Sequence, residues 1–237
     1  EGFEYWLLKF DGVGDFADRE LSSPQGYGQI EYGYHLMARA AGLTMTDCRL
    51  FAEGQRRHFM TRRFDRTTTG EKLHVQTLGG LRHFDFNLAG AYSYESALLT
   101  LIELEAPAAD REQLYRRMLF NIVARNQDDH VKNISFVMTD GRWSLSPAYD
   151  VTYAYAKGKP WTSAHQMTVN GKRDDFTLED LRAVADVALL PRGHWKSVLD
   201  DVLSATRDWF SFAEDAGLPE QRAMKLASTF RMEIPGH

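Results

Sequence analysis

The sequence holds one cysteine, Cys48, in 237 residues. That excludes an internal disulfide framework and any zinc site built on four thiolates, and it fits a reducing compartment, so the expected location is the cytoplasm. Long apolar runs are missing too. The longest, around Ala97 to Leu104, is broken by Thr100 and Glu103 and falls well short of the roughly 20 residues that span a bilayer. There is no excess of positive charge either: 28 Lys+Arg against 33 Asp+Glu leave −5 at pH 7. The mean field therefore does not favour nucleic acid, although local clusters such as Arg56-Arg57 and Arg62-Arg63 can. What is present is globular. A hydrophobic fraction of 43% with 12% aromatics argues against disorder, and the length suffices for one large domain or two lobes. The sequence opens at Glu1 without a charged-then-apolar leader, which reads as a processed chain or a fragment.

Phe3 to Phe10 is rich in aromatics and leucine and stops at Asp11-Gly12, which predicts a buried strand. Asp11 to Gln29 carries four glycines and reads as a long surface loop, with Gly12-x-Gly14 as a turn. Ile30, Tyr34, Met37 and Ala41 recur at helical spacing, and Gly42 stands where a C-terminal cap is expected. Strands are predicted at 49–51 and 58–64 around the polar turn Glu53 to Arg57, followed by a glycine- and threonine-rich separator from Thr67 to Gly90. Helices follow at Tyr94 to Leu104 and Arg111 to Ala124, then a hairpin turning at Asp140-Gly141. A helix opened by the Thr177/Asp180 capping box ends before Pro191, and two amphipathic helices, His194 to Phe212 and Pro219 to Arg231, complete the chain. The pattern predicts an α+β architecture, with a small strand-containing lobe over 1–64 and a mainly helical lobe over 65–237.

Between the buried helix and the hairpin lies Asn126-Gln127-Asp128-Asp129-His130-Val131-Lys132-Asn133. Protein kinases place a catalytic aspartate and a metal-binding asparagine five residues apart in such a loop. Asp128 and Asn133 meet that offset and Asp129 does not, so Asp128→Asn is expected to be damaging and Asp129→Asn mild. A hard cation on nucleotide phosphates needs a second oxygen ligand, and Asp150, at the end of Ser146-Pro147-Ala148-Tyr149-Asp150, stands where the returning strand stops. Lys9, inside the first strand, is the candidate to grip phosphates, with Glu31 as a possible partner on the first helix. Any one of these features is common as turn chemistry. Their order along the chain is what favours a kinase-like site. His130 lacks a second histidine at i+4, so zinc is not expected. Paired arginines such as Arg62-Arg63 more often form structural ion pairs than phosphate sites, and Cys48 reads as a small buried residue.

The segments 5–10, Arg63-Phe64-Asp65-Arg66, 126–133 and 146–150 together resemble the HipA family of bacterial toxin kinases along nearly the whole chain. That resemblance implies a two-lobed, protein-kinase-like fold and ATP-dependent phosphorylation of a protein serine or threonine. It also implies an aminoacyl-tRNA synthetase as target class and a small DNA-binding antitoxin as partner, with DNA reached only through the antitoxin. Carried over by position, Asp128 is the catalytic aspartate, Asn133 and Asp150 the magnesium ligands, and Lys9 the ATP lysine. Arg62, Arg63 and Phe64 correspond to the interlobe segment at the adenine, and His130 and Lys132 are further nucleotide-binding candidates. Arg62 departs from the acidic residue often found at its position. The family's glycine-rich phosphate loop is expected upstream of Glu1. Two rivals remain: an inactive kinase-fold module that binds an antitoxin–DNA complex, and, ranked last, a metal-dependent phosphohydrolase using Asp128, Asp129 and Asp150.

Overall fold

The computed structural model describes residues 3–12 and 26–236. Most of the loop expected over 11–29, including Gly14, lies outside the described residues. Its last part does not remain a loop, because helix α1 (Tyr27–Ala40) begins directly after Gly26. Asp11 supplies the cap that α1 lacks from its own first residue. Its carboxylate accepts from the backbone N–H groups of Gly26 at 2.8 Å and Tyr27 at 3.1 Å. At the other end Gly42 takes φ +82°, its N–H donating to the Arg39 carbonyl and that of Leu43 to the Ala38 carbonyl, the paired bonds of a Schellman motif.

The first sheet is antiparallel in the order β1 (Trp6–Lys9), β3 (Arg56–Arg62), β2 (Cys48–Glu53). Register pairs Lys9 with Phe59 and Phe51 with His58. The expectation of a buried first strand is corrected here. Leu7 is 51% and Phe10 60% exposed, because β1 is an edge strand among the described residues and one of its long sides has no neighbour there. Cys48 is half-buried rather than fully so.

The separator expected over 67–90 is also corrected. It contains β4 (His74–Thr77) and α2 (Leu78–Arg82), with the Thr77 hydroxyl accepting from the Gly80 N–H as the N-cap. β4 pairs with β5 (Ser135–Thr139), which pairs with β6 (Arg142–Leu145), to form a second antiparallel sheet. The first sheet thus draws on residues 6–62 and the second on 74–145.

Of the remaining helices, α3 (Tyr94–Glu103), α4 (Ala108–Val123), α5 (Leu178–Val187), α6 (His194–Arg207), α7 (Trp209–Asp215) and α8 (Glu220–Ala227), α4 packs on β6, α3 and α6 pack on α4, and α7 packs on α1 and α8. Every residue of α4 from Leu114 to Val123 is buried, which makes it the centre of the core. The single helix expected over 194–212 is broken at Asp208. Trp209 turns into the core there, against the rings of Tyr34 and Phe230, and its indole N–H donates to the Ala223 carbonyl at 3.1 Å. Tyr34 ties the two parts together. It lies on α1, is fully buried, and its hydroxyl donates at 2.5 Å to the Ala124 carbonyl, where α4 ends and the polar loop begins. Burial of one such ring stabilises by about 1.5–3 kcal/mol. Among the described residues no helix is long and apolar enough to cross a membrane.

Candidate active site at the junction of the two sheets

Lys9 closes β1, Glu31 sits on the second turn of α1, and Asp150 follows β6, yet their charges meet. The Lys9 Nζ lies 2.7 Å from Glu31 Oε1 and 2.5 Å from Asp150 Oδ1. The Asp150 backbone adopts φ +56°, a left-handed conformation that Asp tolerates better than most residues. Ala148, just before it, is held by its N–H on the Thr44 carbonyl at 2.8 Å. The Glu31 side chain is only 11% exposed. Burial pushes its carboxyl up to about 7, against the pull of the Lys9 ammonium, and the Asp150 charge adds to the rise. Burial by itself would lower the Lys9 pKa, but Glu31 and Asp150 outweigh it and hold it above the ordinary lysine value.

The polar loop leaves α4 through Arg125, at φ +58°, and runs beside the stretch after Asp150. The Gln127 N–H donates to the Ala154 carbonyl at 3.0 Å and the Ala154 N–H to Arg125 at 3.1 Å. The two aspartates then part. Asp128 keeps a carboxylate 38% exposed, with Oδ1 accepting from the Trp161 indole N–H at 2.6 Å. Asp129 is buried and fully engaged. Its Oδ2 accepts from the Tyr94 hydroxyl at 2.8 Å and from His165 Nδ1 at 2.7 Å, and its Oδ1 from the Gln166 N–H at 2.7 Å. Burial alone would raise the Asp129 pKa; His165, Tyr94 and that amide together hold it below the usual carboxylate range. Of the two, only Asp128 keeps a solvent-facing carboxylate. The expectation that Asp129→Asn is mild is revised accordingly, since that carboxylate holds the loop to the segment after Asp150.

Asn133 folds back on the loop, its side-chain amide donating to the Asp128 carbonyl at 2.9 Å. The amide oxygen is thereby turned away from that carbonyl. Asn133 and Asp150 line one small cavity together with Tyr149 and Asn126, whose buried Oδ1 has no protein donor. This donor set fits magnesium, which takes one or two protein oxygens and completes its shell with phosphate and water. Among the described residues no three His, Cys, Asp or Glu side chains cluster to enclose a metal by themselves. Asp129 borders the same cavity, but its two carboxylate oxygens are taken by Tyr94, His165 and Gln166, which leaves a hydrolase centre of Asp128, Asp129 and Asp150 short of a free ligand oxygen.

The other sequence candidates divide. Phe64 packs on Tyr149, centroids 5.7 Å apart, which brings it beside Asp150. Arg63 is engaged with Asp65 through Nε at 2.7 Å and Nη2 at 2.5 Å, and the Arg62 guanidinium lies 3.9 Å from Glu4. Both line a separate cavity with Tyr5 and Arg66, and neither reaches Asp150. His130 Nε2 lies 3.8 Å from Asp128 Oδ1, its ring edge-on to Phe86, while the Lys132 ammonium rests over the Phe86 ring at 3.3 Å. Sequence reasoning gave no role to Trp161 or Tyr149. An aromatic in the exposed Lys157-Gly158-Lys159-Pro160-Trp161 stretch was the available signal for Trp161.

A small antiparallel sheet with one helix, a helical lobe, and a lysine–glutamate pair facing a loop aspartate define the class as a two-lobed, protein-kinase-like fold. The family is narrower: residues 1–235 match the HipA-like C-terminal domain, and the chain belongs to that family. A relative named "Putative kinase Y4dM" from Sinorhizobium fredii is 28% identical over 183 residues, covering 73% of this chain and 42% of the relative. Among solved structures, the HipA toxin of Shewanella oneidensis MR-1, in complex with HipB and operator DNA, aligns with TM-score 0.72 at 19% identity. That alignment covers 94% of this chain and 55% of that one. The Helicobacter pylori proinflammatory kinase CtkA aligns with TM-score 0.52 at 12% identity, over 94% of this chain and 92% of its own. The chain spans about half the length of the HipA structure and less than half of Y4dM.

Proposed function

We propose that this chain carries the catalytic residues of a serine/threonine protein kinase that uses Mg-ATP and acts as the toxin of a bacterial toxin–antitoxin pair. The observation that carries the reading is the meeting of Lys9, Glu31 and Asp150 from three distant elements, beside a loop in which Asp128 is exposed and Asn133 is held. Glu31 orients the Lys9 ammonium, which would hold the phosphate oxygens of a bound nucleotide. Asn133 and Asp150 would hold the magnesium ion, and Phe64 on Tyr149 would border the nucleotide. Bound Mg-ATP supplies the phosphoryl group. Asp128 positions the acceptor hydroxyl through the carboxylate oxygen that Trp161 does not use, and receives its proton late in the transfer.

The partnership of the Shewanella HipA with HipB supports an antitoxin as partner here, and the family resemblance supports a translation component, such as an aminoacyl-tRNA synthetase, as substrate. The test uses the full natural protein with radiolabelled ATP and a cell lysate. Asp128→Asn is expected to lower transfer by orders of magnitude while leaving magnesium-dependent ATP binding in place by calorimetry. ATP affinity that is equal with and without EDTA would remove the assignment of Asn133 and Asp150. Absence of transfer by the unsubstituted protein would favour the inactive interaction module.

A further inference from the structure

Among the described residues the Asp128 carboxylate receives one hydrogen bond, from the Trp161 indole N–H to Oδ1 at 2.6 Å, while His130 Nε2 stands off at 3.8 Å, beyond hydrogen-bond reach. The donor comes from a separate part of the chain, and its place there is built. The turn that carries it is closed by the Ala156 N–H on the Thr162 carbonyl at 3.3 Å and the Ser163 N–H on the Lys159 carbonyl at 3.1 Å. The Trp161 carbonyl accepts from the side-chain amide of the buried Gln166, whose own backbone N–H holds Asp129 Oδ1 at 2.7 Å. The indole is half-buried and edge-on to the His130 ring, with centroids 6.4 Å apart. One short segment, 161–166, thus clamps both aspartates: His165 and Gln166 take Asp129, and Trp161 takes Asp128.

We infer that Trp161 is a positioning residue of the transfer reaction, whose indole N–H fixes Asp128 by Oδ1 and thereby presents Oδ2 to the acceptor hydroxyl. The inference rests on the kinase reading above. An aspartate carboxylate turns about a broad, two-fold torsion, and one that is 38% exposed would otherwise be oriented by water alone. A single donor held in a built turn makes the two oxygens different. The indole suits the task chemically, because it donates only, carries no charge and takes no proton. It therefore fixes the carboxylate without competing for the proton that the hydroxyl gives up. A lysine or arginine in the same place would hold Oδ1 as well, but its charge would lower the carboxylate's affinity for that proton. Gln166 joins the Trp161 carbonyl to the Asp129 bond, so the segment that anchors the loop also aims its exposed carboxylate.

The test measures initial rates of radiolabel transfer to lysate protein by the full natural protein over a range of Mg-ATP concentrations. The pH is kept above the ordinary histidine value of about 6.5, so that an introduced imidazole is neutral. Trp161→Phe keeps an apolar ring and loses the N–H. Trp161→His loses the larger part of the ring system but keeps an N–H, since imidazole Nε2 takes the place of indole Nε1 in the five-membered ring. Trp161→Phe is expected to lower the maximal rate by about 10–100-fold with the KM for ATP unchanged, and Trp161→His to retain more of the rate. A ring that served only to pack would give the opposite order. Adding Trp161→Phe to Asp128→Asn is expected to cost nothing further, because the indole acts through the carboxylate. The indole N–H signal of Trp161 in NMR spectra is expected to move on Asp128→Asn, a readout that needs no catalysis. If Trp161→Phe does not fold by circular dichroism, that signal decides, and one unmoved by Asp128→Asn overturns the role. A Trp161→Phe rate equal to that of the unsubstituted protein, or above that of Trp161→His, overturns the positioning role and leaves the kinase reading standing. Absence of transfer by the unsubstituted protein overturns both.

Discussion

Replacing Asp129 by asparagine changes one atom's chemistry at a fully buried site, and the consequence can be worked through bond by bond. Oδ2 accepts from Tyr94 and His165, and Oδ1 from the Gln166 N–H. An asparagine keeps one acceptor and gains a donor. If its oxygen stays on Gln166, its NH2 faces the Tyr94 hydroxyl and His165 Nδ1; if it flips, the NH2 faces the Gln166 N–H. His165 cannot absorb the change by moving its proton. The Arg231 guanidinium lies 3.0 Å from its Nε2 and can only donate, so Nε2 must accept. Either orientation leaves a buried donor against a donor. An unsatisfied buried group costs about 1–3 kcal/mol and a hydrogen bond to a charged group contributes about 1.5–3 kcal/mol, so a loss of about 3 kcal/mol is expected. In a domain of this size that lowers Tm by roughly 6–12 °C. Thermal unfolding followed by circular dichroism measures it, with Asp128→Asn as the comparison. Because the Asp128 carboxylate is 38% exposed and bonded to one indole, that variant should move Tm little while losing transfer. An Asp129→Asn protein with wild-type Tm and no activity would refute the division of roles between the two aspartates.

Three further outcomes follow from packing and charge. His35 is buried with Nδ1 unpartnered, and burial, aided by Arg39, lowers its pKa to about 4. With the folded pKa below the unfolded value near 6.5, stability is full above that value and falls as pH drops toward 4, by about 2 kcal/mol at pH 5. His35→Leu should therefore flatten the pH dependence of urea midpoints between pH 6.5 and 4, and an unchanged slope would contradict the assignment. A Cβ at Gly28 would stand 2.2 Å from the Arg57 carbonyl oxygen, so Gly28→Ala should force α1 off β3 and lower Tm by several degrees. Lys9→Met combined with Glu31→Leu should leave Tm within a few degrees of wild type, or raise it, while removing ATP binding by calorimetry; a large drop in Tm would make the pair structural.

The parts of the fold that were legible in the sequence are those whose cause is local. α4 follows from its apolar stripe, α5 from the Thr177/Asp180 box that forms as written, the second hairpin from Asp140-Gly141, and the end of α1 from Gly42. β4 was not legible because its four residues carry little pattern and are held by β5, some sixty positions on. The break at Asp208 escaped because the periodicity runs through it; the pull of Trp209 toward Tyr34 is a tertiary effect. In the site, the Asp128-to-Asn133 offset could be read directly, and so could the difference in register between Asp128 and Asp129. That Asp129 is tied to His165, and Asp128 to Trp161, depends on contacts 36 and 33 residues apart that no local pattern encodes.

The charged trio itself contributes little to holding the molecule together. Exposed ion pairs are worth about 0–1 kcal/mol, and Lys9 is 47% exposed, while burying Glu31 carries a desolvation cost that pushes its carboxyl up to about 7. The elements that bear the pair are nevertheless fixed by neighbours that do stabilise. Asp11, two residues after Lys9, caps α1 with its carboxylate, and its own N–H donates to His58 Nδ1 on β3 at 2.8 Å. One residue thereby sets the end of β1, the middle of the sheet and the start of α1 in one frame. Tyr34, one turn beyond Glu31, then fixes α1 to the carbonyl from which the Asp128 loop departs. A costly pair held by well-satisfied anchors on both sides is what placement of a cation beside Asp150 requires, and it is not what fold stability alone would select.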